Sequence, residues 1–121
     1  MDDLVFGDLR ISAAPAAADT LVLEWRGKSV DRQPGKVLDP YLTTAVREAA
    51  DGKKVLEMRF GGLEHFNSST ITSLIAVVQS ARAAAVRLVL VYDKSLKWQK
   101  LSFDALRVLG KADGLLEIRA L

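Results

Sequence analysis

The sequence predicts an α/β domain: a mixed, mostly parallel β-sheet with helices covering one face. Three observations carry this. Segments that alternate apolar and polar residues are interleaved with segments whose apolar residues recur at helical spacing. Three of the strand segments place a charged pair beside an apolar row: Glu24/Arg26, Glu57/Arg59 and Glu117/Arg119. A sheet buried on both faces reads as continuous apolar runs, so here one face stays partly wet and a doubly wound fold is excluded. Finally, the chain has 121 residues, 50% of them hydrophobic, and a formal net charge of +2. That describes one domain, 1–121, and excludes disorder as the main state.

In chain order, segment 5–13 reads as an opening strand. Leu21, Leu23 and Trp25 alternate with Val22, Glu24 and Arg26 in a second strand. The stretch from Gly27 to Pro40, with Pro34 and Gly35 inside it, reads as a loop within the domain. Asp39-Pro40 then starts a helix, with Asp39 as N-cap and Pro40 at the first helical position. Its buried face is Leu42, Ala45, Val46 and Ala49, and Gly52 stops it. Leu56, Met58 and Phe60 alternate with Glu57 and Arg59, and Gly61-Gly62 ends or bends that strand. Asn67 caps a helix with Ile71, Leu74, Ile75, Val78 and Ala81 on one face. Strand 86–92 sets Leu88, Leu90 and Tyr92 against Arg87, Val89 and Val91. A helix over 98–110 uses Leu101, Ala105, Val108 and Leu109 and stops at Gly110. Leu116 and Ile118 alternate with Glu117 and Arg119 in a last strand. The order β-β-α-β-α-β-α-β implies parallel crossover units, with the first strands free to pair antiparallel. The alanine clusters at 13–18 and 83–85 are short, and there is no internal repeat.

Composition closes many functional routes. With no cysteine there is no disulfide, zinc-thiolate site or Cys nucleophile, and His65 as the single histidine excludes a His-rich metal cage. No metal or cofactor is expected. Lys and Arg are interleaved with Asp and Glu, so the basic face that nucleic acid requires is missing. No apolar run approaches the roughly 20 residues of a membrane span, and Met1-Asp2-Asp3 is unlike the basic start of a signal peptide. The expected setting is cytoplasmic. Neither Gly-x-Ser-x-Gly, Gly-x-Gly-x-x-Gly nor a Walker sequence is present, and no acid/base constellation stands out. No catalytic residue is assigned, and the chain is not read as an enzyme.

The informative stretch is Leu63-Glu64-His65-Phe66-Asn67-Ser68-Ser69-Thr70-Ile71, where a strand gives way to a helix. Free backbone N–H groups and the helix dipole favour an anion there. Ordinary capping accounts for one such residue. Four in a row, at the carboxyl end of a strand where α/β sheets place their sites, leave a functional reading open beside the structural one. Asp93-Lys94-Ser95-Leu96-Lys97-Trp98-Gln99-Lys100 follows the next strand at the same sheet end. It reads either as a solvated loop with Trp98 covering the core edge or as a second rim of a binding surface. Lys28, Asp31 and Arg32 are further candidates for an interface.

The strand Val55-Leu56-Glu57-Met58-Arg59-Phe60, a short loop, Phe66-Asn67-Ser68-Ser69-Thr70, an apolar helix, a strand and a final helix together resemble the STAS domain. This is the fold of the anti-sigma factor antagonists of bacterial partner switching. The resemblance covers about 20–120 and is best from Lys54 to Val91. The family pattern is Asp-Ser-Ser/Thr-Gly at a helix N-terminus, and the residue after the Asp is phosphorylated by a serine kinase that also serves as anti-sigma factor. A serine phosphatase resets it. By position, Asn67 matches the Asp, Ser68 the phosphoacceptor, Ser69 the next hydroxyl and Thr70 the Gly. The neutral Asn67 and the β-branched Thr70 depart from the pattern and point to a variant group. The resemblance implies a non-enzymatic phosphoprotein switch, monomeric or weakly homodimeric, with Ser68 modified and Ser69 the next candidate. Its partner surface would be built from His65, Phe66, Asn67, Ser69, Thr70, Lys94, Lys97 and Trp98. The alternative from another class is a binding module that holds a nucleotide or lipid phosphate at Ser68–Thr70.

Overall fold

Every alternating strand sends its apolar row to the same side, and all the helices pack there. A computed structural model describes residues 1–121, except for the side chains of residues 15–17, so part of the alanine cluster at 13–18 lies outside the described residues. The elements are β1 (Leu4–Phe6), β2 (Leu9–Ala17), β3 (Thr20–Ser29), α1 (Gly35–Asp51), β4 (Val55–Phe66), α2 (Ser68–Ala83), β5 (Leu88–Tyr92), α3 (Lys97–Leu106) with a 3₁₀ turn at Arg107–Leu109, and β6 (Leu116–Ala120). The six strands lie side by side in chain order. The pairs β1·β2 and β2·β3 are antiparallel, and β3 to β6 are parallel, as the crossover helices require.

The core lies between the sheet and the helices. Leu21, Leu23, Trp25, Leu56, Met58, Phe60, Leu88 and Leu90 meet Leu38, Leu42, Ala49, Leu74, Val78 and Phe103. The opposite face carries the charged pairs, joined into one run of alternating sign. Arg26 bonds Glu24, which also meets Arg59, and Arg59 donates to Glu57 at 2.6 Å. Glu57 also takes Arg119 at 2.9 Å, and Arg119 and Arg87 share Glu117. Strand β5 runs beneath this network, with Val89 paired to both Glu57 and Glu117 and Val91 to both Arg59 and Arg119. The long charged side chains lie over these valines with their ends in water, so Val89 and Val91 are buried although no helix covers them.

Several boundaries differ from the sequence reading. The opening strand 5–13 is a hairpin, β1 and β2, because Gly7 takes φ +59° at the first central position of a two-residue turn. The loop expected over 27–40 shrinks to 30–34. At its front, Gly27-Lys28-Ser29 continue β3 alongside Leu63, His65 and Phe66. At its back, α1 begins at Gly35 and carries Pro40 inside it, with no cap from Asp39. Leu38 is fully buried one turn before Leu42, and that burial holds the extra turn despite the N–H that Pro40 lacks. Gly61-Gly62 bends β4 without ending it: from Glu24↔Arg59 to Arg26↔Gly62, β4 spends one residue more than β3, which is a bulge. Strand β5 starts at Leu88 and not at 86. Helix α3 turns a different face inward. Gln99, Phe103 and Leu106 are buried, whereas Leu101 and Val108 are 73% and 84% exposed.

Two substitutions test this architecture. A Cβ at Gly27, where φ is +84°, would lie 1.9 Å from the Asp8 carbonyl oxygen, whereas Gly7 has open space around it. Gly27→Ala is expected to cost about 3 kcal/mol or more, and Gly7→Ala about 1–2 kcal/mol, in urea denaturation. Gln99 is fully buried and makes three hydrogen bonds. Gln99→Leu is expected to cost about 3 kcal/mol or more by stranding those partners. A cost near zero for either Gly27→Ala or Gln99→Leu would show that the bulge region relaxes freely.

Candidate functional site

The site forms where β4 runs into α2. Strand β4 stays paired with β3 up to Ser29↔Phe66, and the Asn67 N–H donates to the Ser29 carbonyl at 3.0 Å. The chain therefore enters α2 at a fixed place beside the loop 30–34. Asn67 is the N-cap, with extended backbone, and its Oδ1 accepts from the Thr70 N–H at 3.0 Å and the Thr70 hydroxyl at 2.8 Å. Its Nδ2 donates to the Asp31 carbonyl at 2.7 Å. An aspartate could cap but could not make this last bond, which gives the neutral side chain a physical reason.

Thr70 is buried and shares a 2.7 Å hydrogen bond with the Ser29 hydroxyl. The β-branched side chain at this position thus ties α2 to the end of β3. Ser29 and the Asp31 carbonyl could not be read as partners from the sequence, since neither lies near Asn67 in the chain.

Ser68, the first residue of α2, is exposed, and among the described residues its hydroxyl makes no hydrogen bond. The first N–H groups of a helix and its dipole accommodate added negative charge at this position. Ser69 is half-buried and lines a shallow groove of about 440 Å³ with Arg32, Pro34, Lys36, Asp39 and Thr72. This groove brings Arg32, a residue of the loop, next to the serine pair.

On the other side, His65 is exposed and its ring lies 5.9 Å from that of Trp98. Phe66 is buried and meets Trp98 edge-on at 5.0 Å. Trp98 is half-buried, and Lys97 and Lys94 are exposed beside it in the chain. The exposed surface is thus His65, Ser68, Ser69, Lys94, Lys97 and part of Trp98, with Phe66 and Thr70 supporting it from below. Asp93 adds a negative charge beside this surface: the Ser95 hydroxyl and then its N–H bond the carboxylate and hold its pKa below the ordinary value. Among the described residues no group of three His, Asp or Glu side chains is placed to hold a metal ion. No helix is long and apolar enough to cross a membrane.

Gln99 links the two sides from beneath. Its Nε2 donates to the carbonyls of Phe60 and Leu63, and its Oε1 accepts from the Asp93 N–H. The i, i+4, i+7 spacing of Gln99, Phe103 and Leu106 was the sequence signal for it, masked by an amide that reads as surface.

The fold defined by these elements is STAS-like: one six-stranded, mostly parallel sheet with three helices. No family model matches the sequence, and no curated protein matches it. Among solved structures, the chain superposes on SiaC in the crystal structure of the diguanylate cyclase SiaD in complex with its activator SiaC from Pseudomonas aeruginosa. That match has a TM-score of 0.69 and 18% identity and covers 98% of each chain. The anti-sigma factor antagonist SpoIIAA in its unphosphorylated form matches with a TM-score of 0.57 and 16% identity, over 75% of this chain and 79% of that one. At such identities the likeness is one of fold.

The cap makes a measurable prediction. Asn67→Asp is expected to retain most of the stability but to speed amide hydrogen exchange at 31–33, because the bond to the Asp31 carbonyl is lost. Asn67→Ala loses the cap as well, at a cost of about 1–2 kcal/mol, and Thr70→Val costs about 1–3 kcal/mol. Unchanged exchange in Asn67→Asp would mean that the loop is held by something else.

Proposed function

We propose that this protein is a non-enzymatic phosphorylatable switch whose output is the binding or release of a protein partner. Ser68 is the modified residue, with Ser69 second. The partner in the unphosphorylated state is a serine kinase or anti-sigma-like regulator, a serine phosphatase resets the site, and the setting is cytoplasmic. The observation that carries this reading is the contrast within one turn. Asn67 and Thr70 are locked into the fold by hydrogen bonds, while Ser68 between them is exposed with an uncommitted hydroxyl. The fold neighbours support a protein partner: one is described as an anti-sigma factor antagonist, the other as the activator in a complex with a diguanylate cyclase.

The mechanism is one of charge. A phosphate adds roughly −1.5 to −2 at pH 7, which offsets most of the chain's +2 and places the new charge at one point on the surface. The start of α2 tolerates that charge, so the domain stays folded. A partner docked over the turn does not tolerate it, because its side of the interface was matched to a neutral hydroxyl. The second reading, a module for a small phosphate-bearing ligand, is favoured by the groove that joins Ser69 to Arg32 and Lys36. Thermal-shift titration with inorganic phosphate and nucleotides separates the two, since only the second reading expects stabilisation without a protein partner.

Phosphopeptide mapping of the protein isolated from cells is expected to find phosphate at Ser68. Ser68→Asp is expected to weaken partner binding by about 5- to 150-fold, the usual range of such couplings, with Ser68→Ala remaining bound. Absence of phosphate from both Ser68 and Ser69 would overturn the switch.

A further inference from the structure

Helix α3 leaves part of its apolar surface uncovered. Leu101 and Val108, at 73% and 84% exposure, are among the few large apolar side chains that the fold leaves in water. With the exposed Ala105 between them they follow i, i+4, i+7 spacing, so they line one side of α3 and its 3₁₀ extension. Their inward neighbours Gln99, Phe103 and Leu106 already fill the core contact, so the stripe has no work inside the domain.

Cations predominate on the stripe's own segment: Lys97, Lys100, Arg107 and Lys111 stand against one carboxylate, Asp104, with Asp93 and Asp113 just beyond its ends. Lys97 lies one turn before Leu101 and Lys111 lies three residues after Val108. Both are exposed, and neither is in an ion pair among the described residues. The exposed Lys94 adds a third free cation at the same end as Lys97. The one carboxylate within the stripe's span, Asp104, is neutralised by Lys100 at 2.6 Å and Arg107 at 3.2 Å. Arg107, with a side chain 47% exposed, also donates to the Ile118 carbonyl and the Tyr92 hydroxyl. A narrow apolar strip bounded by unpaired lysines at both ends is complementary to an apolar strip bounded by carboxylates.

We infer that this face of α3 is a docking surface for an amphipathic helix of a partner protein that carries Asp or Glu at both ends of its apolar side. The ridge formed by Leu101, Ala105 and Val108 is the shape that packs against a second helix. A lipid surface fits less well, since Leu101 and Val108 are the only large apolar side chains on the stripe and the half-buried Trp98 is held against Phe66 and His65. The apolar stripe itself lies on α3 and its 3₁₀ extension, while Lys94 and Lys97 belong both to it and to the surface beside Ser68.

The probes are two synthetic helical peptides of about 18 residues, five turns, with the same leucine face and either Glu or Lys at both ends of that face. Fluorescence anisotropy with the full chain is expected to show the Glu peptide binding about tenfold or more tighter than the Lys peptide, with added salt narrowing the difference. The variant with both Leu101→Asp and Val108→Asp should keep its circular dichroism and melting profile, since both side chains are exposed, and lose that binding. Lys97→Glu should weaken the Glu peptide and strengthen the Lys peptide. Failure of the Glu peptide to bind, equal affinity for both peptides, or binding retained by the double variant would overturn the proposal. So would co-sedimentation with anionic vesicles that the double variant abolishes, which assigns the stripe to a lipid surface. Self-association abolished by Leu101→Asp would overturn it likewise, by assigning the stripe to a second copy of the chain.

Discussion

The buried amide of Gln99 holds the functional end of this molecule together. Among the described residues it is the one side chain that bonds the backbone on both sides of the Gly61-Gly62 bulge, at Phe60 and Leu63, and the start of the turn after β5, at Asp93. A bulge frees backbone groups that the sheet ladder no longer pairs, and buried backbone groups without partners are costly. Strand β5 pairs with β4 only as far as Arg59↔Val91, and beyond it Gln99 on α3 donates to the Phe60 and Leu63 carbonyls. Past that point β4 continues to Phe66 alongside β3, through a second register shift between Gly27 and Lys28, and Asn67 arrives where it can bond Ser29, Asp31 and Thr70. The exposure of Ser68 is the end of this chain of constraints.

The open face of the sheet follows a different logic. Helices cover one side, and the other is closed by crossed Glu and Arg side chains lying over Val89 and Val91. Exposed ion pairs contribute little singly. Here the buried carboxylate of Glu57 is shared between Arg59 and Arg119, so the run gains from being connected and from the apolar stems it lays over β5. With one face filled by helices and the other by its own charges, the end of the sheet at the carboxyl termini of β4 and β5 carries the exposed Ser68 and Lys94.

Local signals were readable where a single element decides the outcome. Trp25, Met58 and Leu90 alternate with residues of the opposite face, and this sufficed for the strands and for a sheet with one wet side. The cap at Asn67 needed only the rule that short polar side chains satisfy the first N–H groups of a helix. Where two elements compete, the same rules misled. Pro40 signals a helix start, but the burial of Leu38 outweighs one missing hydrogen bond and moves the start to Gly35. Leu101 and Val108 have the spacing of a buried face, but Phe103 pointed to the core through its contacts with Phe60, Phe66 and Tyr92, which rotated the helix the other way.

By itself the sequence determined the class of fold, the strand faces, the capped turn and the serine at the start of a helix, because each rests on periodicity or on neighbours within one turn. Only the tertiary structure decided that β4 continues through its glycines, that Asn67 reaches the Asp31 carbonyl and Thr70 the Ser29 hydroxyl, and that α3 buries an amide and exposes leucine and valine. These are contacts between residues some 30 to 40 positions apart in the chain, such as Asn67 with Asp31 and Gln99 with Phe60. They exist only once the sheet has brought the ends of β3, β4 and β5 side by side.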